Sequence, residues 1–579
     1  MMVLSLLPTS AFAEEKYYPV WVGDVQVSEE NKDNVLGDGT VKFDPKTSTL
    51  TLSNAKITAP KGEKGYDTSA IWSTEDVNIV LKGQNTIYSV PAIGEDADSI
   101  GIIAYDYENE KFKDLTVAGD GSLMIHGAKS ESDYGTGIQA EDLTIKSGTI
   151  TIKDIPGKKD SVGLDLNGNF KMLNGKLMIT TKNARSTYGL FAGGNIDIQA
   201  GDIQIKTGDA LGTTDDDGYT VAIKANKKLD IRGGNVQVIA GDSKENNSQG
   251  IYSLEDMTIS GGTIDAKTGK NSWNSLAILS DRDVLVKNGR VTAEGTTAAI
   301  QALNEVVIEK GHVTAKAGND EEVAIAIWGS NKVTIKGGEV YAESMTGKKL
   351  RLGIASVNNI LFVGDELAFT YGDGIEVQGG NIIAKGVTSA FGGELIVKDS
   401  LKTAVKISKE IDGKDASQWD GKQESIQEAD FVQIGSKTSA DVSPSSAVNG
   451  AIKLKIGSKE MIKNLDGADQ KTMMDAAPFV NKGRTMVPLR YVAEALGLEV
   501  KMDAASKSVV LSNADKKIRI PLNSLKMMAN DQEVKSDVLP IVKDGRTYLS
   551  ISNIGKALGL ESGKNLIWDA KAKEITVIP

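Results

Sequence analysis

The sequence predicts a mainly β protein, a right-handed parallel β-helix of about eleven coils followed by a small α+β domain. Three observations point there. One unit recurs between residues 61 and 400: a small residue and Ile, a polar stretch, an alternating strand, Gly, and a second alternating strand. Its turn glycines, Gly148, Gly175, Gly201, Gly234, Gly262, Gly289, Gly311 and Gly338, follow one another at intervals of 27, 26, 33, 28, 27, 22 and 27 residues. Within each unit the apolar residues alternate with period 2, as in Leu143 and Ile145 before Gly148 and Ile150 and Ile152 after it, and no helical stripe is present. Three short strands in such a length make one turn of a parallel β-helix, whereas a propeller blade needs about 40 to 45 residues and four strands.

Taken in order, residues 1–13 (MMVLSLLPTSAFA) read as the end of a secretory signal, because Ala11-Phe12-Ala13 precedes the charged Glu14-Glu15-Lys16. The expected location is therefore outside the cell, secreted or cell-wall associated. Residues 14–60 read as an N-terminal β cap, with a hairpin over Tyr17 to Val27 and the first coil-like strand at Leu50-Thr51-Leu52. A cap is needed because an open solenoid end is an unpaired edge that invites aggregation. Residues 61–400 hold the coils. Their leading anchors are Ile71, Ile102, Ile138, Leu164, Leu190, Ile223, Ile251, Ile278, Ile300, Ile327 and Ile354, and they should stack as a core ladder. Residues 401–450 read as a C-terminal cap and a Ser-rich linker, and 451–579 as a separate domain.

In that last domain one stretch is used twice, from Pro478 through Gly483-Arg484 to Gly497 and from Pro540 through Gly545-Arg546 to Gly559. Each copy predicts a Gly hairpin, a strand and a short amphipathic helix stopped by its final Gly.

Composition excludes several functions. With 66 Lys+Arg against 78 Asp+Glu, the net charge of −12 repels phosphate backbones, so nucleic acid is not an expected partner. The absence of Cys removes disulfides, zinc fingers, iron–sulfur clusters and thiol nucleophiles. The two His, His126 and His312, lie far apart in sequence and read as surface residues. No apolar run is long enough for a transmembrane span. No phosphate-binding loop, dinucleotide fingerprint or nucleophile elbow is present, and the expectation is a non-enzymatic protein without a cofactor.

The residues Gly483-Arg484-Thr485-Met486-Val487-Pro488-Leu489-Arg490, with Glu494-Ala495-Leu496-Gly497, closely resemble the copper amine oxidase N-terminal-like (stalk) domain found on exported proteins of Gram-positive bacteria. The resemblance covers roughly residues 452–579 and implies an attachment or spacing element. The second copy departs from it, with Leu549-Ser550-Ile551-Ser552 in place of Val-Pro-Leu-Arg. The oxidases' copper centre lies in another domain, so copper is not expected here. The opening Trp21-Val22-Gly23-Asp24-Val25-Gln26-Val27, the Leu36-Gly37-Asp38-Gly39 step and the Gly-Gly-Thr-Ile repeats resemble exported β-helix proteins of the carbohydrate-binding domain-containing type. That resemblance implies a polysaccharide or cell-wall glycan as partner, and adhesion through the β-helix face. A β-helix polysaccharide lyase or hydrolase, and a purely structural surface spacer, are the alternatives.

Two outward columns are candidate sites. The position after each anchor reads Trp72, Ile103, Gln139, Asp165, Phe191, Lys224, Tyr252, Leu279, Gln301, Trp328 and Ala355. The aromatics Trp72, Phe191, Tyr252 and Trp328 form a candidate carbohydrate platform, since flat rings offer apolar area at low entropic cost. Four residues before the turn glycines, Lys171, Asp197 and Asp230 are consecutive, and the two carboxylates are weak candidates for Ca2+ or for acid chemistry. Lys171 is the expected counter-charge. Asp215-Asp216-Asp217-Gly218 reads as a solvated loop tip.

Overall fold

The computed structural model describes residues 15–577 except 63–64, 95, 129–131, 213–217, 244–245, 270–273, 319–321, 347–348, 364–365, 436–450, 466–467, 482–483, 504, 514–515, 531, 561–565 and 570–572. The signal segment 1–13, the linker 436–450 and Asp215 to Asp217 lie outside the described residues. The chain divides into two compact units, Met1–Val442 and Ser443–Pro579.

The first unit is a parallel β-helix whose coils contribute strands to three long sheets. The leading anchors occupy one column of the first sheet in unbroken register. Ile71 pairs with Ile102, Ile102 with Ile138, and the ladder continues through Leu164, Leu190, Ile223, Ile251, Ile278, Ile300 and Ile327 to Ile354. Phe391 then extends it by one rung. All these side chains are buried in one continuous core, the arrangement expected when each coil buries its apolar face only against its neighbours.

The residue before the anchor faces the same core: Ala222 and Ile223 are both fully buried there. Strict alternation therefore breaks once per coil in the first sheet. The small residue is needed because a Cβ on Gly137 would lie 2.5 Å from both the Gly163 carbonyl and Ile152 Cγ2.

The turn glycines join the second sheet to the third, and all eight have positive φ, from 81° to 104°. They also stack. A Cβ on Gly262 would lie 2.6 Å from the carbonyl oxygen of Gly234, and one on Gly175 would lie 2.6 Å from that of Gly148. Both the backbone conformation and the contact between coils exclude a side chain.

The ends are closed in part by antiparallel strands. Tyr17–Val22 and Val25–Ser28 form a hairpin that pairs antiparallel with Thr68–Ser73. The parallel ladder already begins inside the segment expected to be a cap, because Leu50 and Leu52 pair in parallel with Ile79 and Leu81. At the other end Phe431–Ile434 lies antiparallel on Asn381–Gly386 and is followed in the sheet by Val405–Ser408 and Ser417–Gln418. Reversing strand direction removes a template for further parallel addition in those sheets, while Lys56–Thr58, first in the third sheet, and Leu395–Val397, last in the second, remain parallel to their neighbours.

In the second unit the two copies of the repeated stretch meet as antiparallel strands, Arg484–Pro488 against Arg546–Ser550, with Val487 opposite Leu549. Each strand runs into a short helix, Leu489–Ala495 or Ile551–Leu558, and Gly497 and Gly559 follow with φ of 78° and 77°. The departure of the second copy has a local reason. Ser550 stands where Pro488 does, and its hydroxyl accepts from the Asn553 N–H as a helix cap.

The copies exchange ion pairs: Arg484 Nε and Nη2 both reach Asp537 at 2.7 Å, and Arg546 Nε reaches Asp475 at 2.6 Å. Asp475 and Asp537 precede the two copies at the same offset, so the module has an approximate internal twofold built into its sequence. Arg484→Met and Arg546→Met should each lower the stability of this unit slightly and by the same amount, because exposed pairs in equivalent surroundings contribute little and alike. Urea unfolding of the two variants should give matching midpoint shifts, and a loss confined to one of them would contradict the exchange.

Candidate functional site

The first sheet has an outer face beside its anchor column, on which Ile103, Val221, Gln249, Leu276, Leu279 and Gln301 are buried and Gln139, Asp165, Phe191, Lys224 and Tyr252 half-buried. Because two successive residues of each coil face the core, the outward face carries two columns instead of one. The first is the column from Trp72 to Ala355, whose neighbours pair in register through every coil. The second runs through Thr136, Val162, Tyr188, Val221, Gln249 and Leu276. Counting back by twos from Phe191 lands on Gly189 and misses Tyr188, which is why sequence reasoning overlooked it. The two rings touch, with centroids 6.2 Å apart and planes at 67°.

The four aromatic candidates occupy three different surroundings. Trp72 lies at the N-terminal end, stacked on Trp21 of the cap hairpin at 4.2 Å and 17°, with its indole N–H donating to the Tyr105 carbonyl at 2.8 Å. It is four rungs from Phe191, and the structure does not bring it together with the other three. Phe191 and Tyr252 are two rungs apart, with Lys224 between them. The Lys224 ammonium sits 5.6 Å from each ring centroid, a cation held between two π faces. Burial pushes the Lys224 pKa down, and Asp281 partly offsets that. The Tyr252 hydroxyl donates to Asp281 at 2.9 Å.

Trp328, three rungs beyond Tyr252, shares an apolar patch with it over Leu276, Leu279 and Ala298. Its indole N–H donates to the Val357 carbonyl at 2.8 Å, and its ring also packs, with Ile360 and Phe369, against a second cluster that includes Val323, Ile325, Leu352 and Val357. Trp328 is thus a structural anchor for the long strand Leu350–Val363, as well as a wall of the face. All four rings are half-buried.

Toward the N-terminal end the face becomes acidic. Gln139 donates to Asp165 at 3.1 Å, and Asp98 packs near Asp67, Asp160 and Asp165. Burial, followed by repulsion from those carboxylates, pushes Asp98 up to about 7, and burial raises Asp165. Burial, with Asp160 nearby, pushes the Tyr188 phenol up to about 12. Below about pH 4 the Asp98 carboxyl is protonated whether the chain is folded or not; between about pH 4 and 7 the unfolded chain releases that proton first, so this group lowers stability as pH rises through that window. Asp98→Asn should therefore melt higher than the parent at pH 8 and level with it near pH 4. An equal difference at both pH values would contradict the burial of this carboxyl.

Asp197 and Asp230 are adjacent in register, as are Lys171 and Asp197. The cation that meets both acids is Arg232, with Nε 2.9 Å from Asp197 and Nη2 3.6 Å from Asp230. Lys171 is not the counter-charge. Arg232 follows Asp230 by two residues on the same outward side, a period-2 signal present in the sequence. Among the described residues no group of three or more His, Cys, Asp or Glu is placed to hold a metal ion. His126 stacks on Tyr88 with centroids 5.1 Å apart, and His312 Nδ1 lies 3.0 Å from Glu339. No helix among the described residues is long and apolar enough to cross a membrane.

Two family models match the chain. One, described as carbohydrate-binding domain-containing protein, covers residues 34–347, more than half of the sequence. The other, the copper amine oxidase N-terminal domain, covers 465–577. Neither a curated protein nor a solved structure matches. The span 465–577 contains no His and no Cys, so its donor set does not fit copper.

Proposed function

Because the chain belongs to the carbohydrate-binding domain-containing protein family, we propose that the outward face of its first sheet holds an extended polysaccharide or cell-wall glycan without cleaving it. The observation that carries this reading is the Phe191–Lys224–Tyr252 ladder, continued by Leu279 toward Trp328. Rings spaced by whole coils, about 4.8 Å per rung, follow the axis of an extended chain, while the half-buried Lys224 and Gln139 supply donors beside them. The protein acts outside the cell as an adhesive or glycan-retaining surface, with the C-terminal module as the attachment or spacing element. It needs no cofactor for this.

The rival reading, a polysaccharide lyase or hydrolase, is favoured by one observation: a carboxyl raised to about 7 at Asp98, near the second raised carboxyl of Asp165. Purified protein incubated with neutral and acidic glycans, with and without Ca2+, should release neither reducing nor unsaturated ends, while an array of the same glycans retains it. Release of ends that disappears in Asp98→Asn would establish the enzyme. Retention by no glycan would leave the structural spacer.

A further inference from the structure

A cavity of about 510 Å3 lies away from the first sheet, where the strands of the third sheet end and the chain turns toward the next coil. That volume is within the usual range for small-molecule sites, about 300 to 1,000 Å3. Its floor is one register column. Lys267 pairs with Glu294, Glu294 with Lys316 and Lys316 with Glu343, so the charge alternates from coil to coil. The ion pairs are loose, 3.4 Å for Lys267 to Glu294 and 3.6 Å for Lys316 to Glu343.

Beside this column the Thr296 hydroxyl, in a residue only 4% exposed, has no hydrogen-bond partner among the described residues, and the buried Thr268 hydroxyl is in the same state. Both residues line the cavity, and Met345, 40% exposed, adds an apolar rim. A buried hydroxyl without a partner is unfavourable, and a ligand hydroxyl that reaches it removes that penalty.

We propose that this cavity is a second sugar-binding subsite, which takes a neutral pyranose unit. The chemistry selects that class. Two ammonium and two carboxylate groups sum to no net charge, so neither an anion nor a cation is favoured. The charged floor opposes a purely apolar ligand. A neutral polyol uses the carboxylates as acceptors, the ammonium groups as donors and the threonine hydroxyls as either, while its C–H face rests on Met345. The site is independent of the first-sheet face, since its residues lie on the third sheet and the turns that follow it.

Saturation-transfer NMR on the full chain with cellotriose, N,N′,N″-triacetylchitotriose and trigalacturonate tests this. At least one of the two neutral trisaccharides should bind, and more tightly than trigalacturonate. Thr296→Val, which keeps the shape and removes the hydroxyl, should weaken that binding about tenfold. Glu343→Gln, at a partly exposed site, should also weaken it and serves as the second variant if Thr296→Val folds poorly. In the Phe191→Leu/Tyr252→Leu background, which removes the first-sheet contribution, the trisaccharide binding that remains should fall further when Thr296→Val or Glu343→Gln is added. The proposal is overturned if neither neutral trisaccharide binds, if trigalacturonate binds more tightly, if both cavity variants bind normally, or if binding disappears in the leucine double variant instead.

Discussion

Gly262→Ala should destabilise the β-helix by about 3 kcal/mol, of which about 1 comes from holding a non-glycine residue at positive φ and the rest from the contact of its Cβ with the coil before it. Gly421→Ala separates the two terms. Gly421 has nearly the same φ, 83° against 81°, but nothing lies within 4 Å of the position its Cβ would take. Its substitution should cost only about 1 kcal/mol. Urea unfolding of both variants measures the difference, and equal losses would contradict the stacking of glycine on glycine as a constraint between coils.

The second large effect concerns the glycan. Phe191→Leu/Tyr252→Leu removes both flat rings, and Tyr252→Leu keeps apolar bulk against Leu276 and Leu279. Each ring stacked on a sugar is worth about 1 to 1.5 kcal/mol, so retention should fall about tenfold for either single variant and about a hundredfold for both. Leucine is chosen over alanine, and Trp328 is left in place, because Trp328 anchors Val357 and the cluster beneath Phe369. Replacing Tyr252 and Trp328 together would therefore confound loss of binding with loss of structure. Thermal melting of the leucine variants should stay near the parent; a hundredfold loss accompanied by a large drop in melting temperature would be a folding effect instead.

The core of this protein was legible from spacing alone, because a solenoid repeats one set of contacts and every anchor from Ile71 to Ile354 marks the same place in space. The turn glycines were legible for the same reason. The outward face was legible only in part. Its first column follows the anchors at a fixed offset, but Tyr188 was hidden by the double inward step at Gly189 and Leu190, which period-2 counting does not anticipate. The role of Lys224 depends on the register of its neighbours Phe191 and Tyr252, one coil away on either side. The raised carboxyl of Asp98 draws on Asp67, Asp160 and Asp165, which are brought together only by coiling.

Trp72 illustrates the opposite limit. Its position in the column was correct, yet its partner is Trp21 of the cap, and no repeat pattern encodes how a cap folds back. The pair Asp197 and Asp230 was placed correctly in register, and the error lay in choosing Lys171 from the column when Arg232, two residues along the strand, reaches both acids.

The most direct measurement is hydroxyl-radical footprinting of the full chain with and without the glycan that retains it best. Phe191 and Tyr252 are half-buried and open to solvent on one side, so their oxidation should drop on binding, while Tyr88 on the third sheet, 43% exposed, should react as before. Protection of Tyr88 with unchanged reactivity at Phe191 and Tyr252 would contradict the assignment of the glycan to the first sheet.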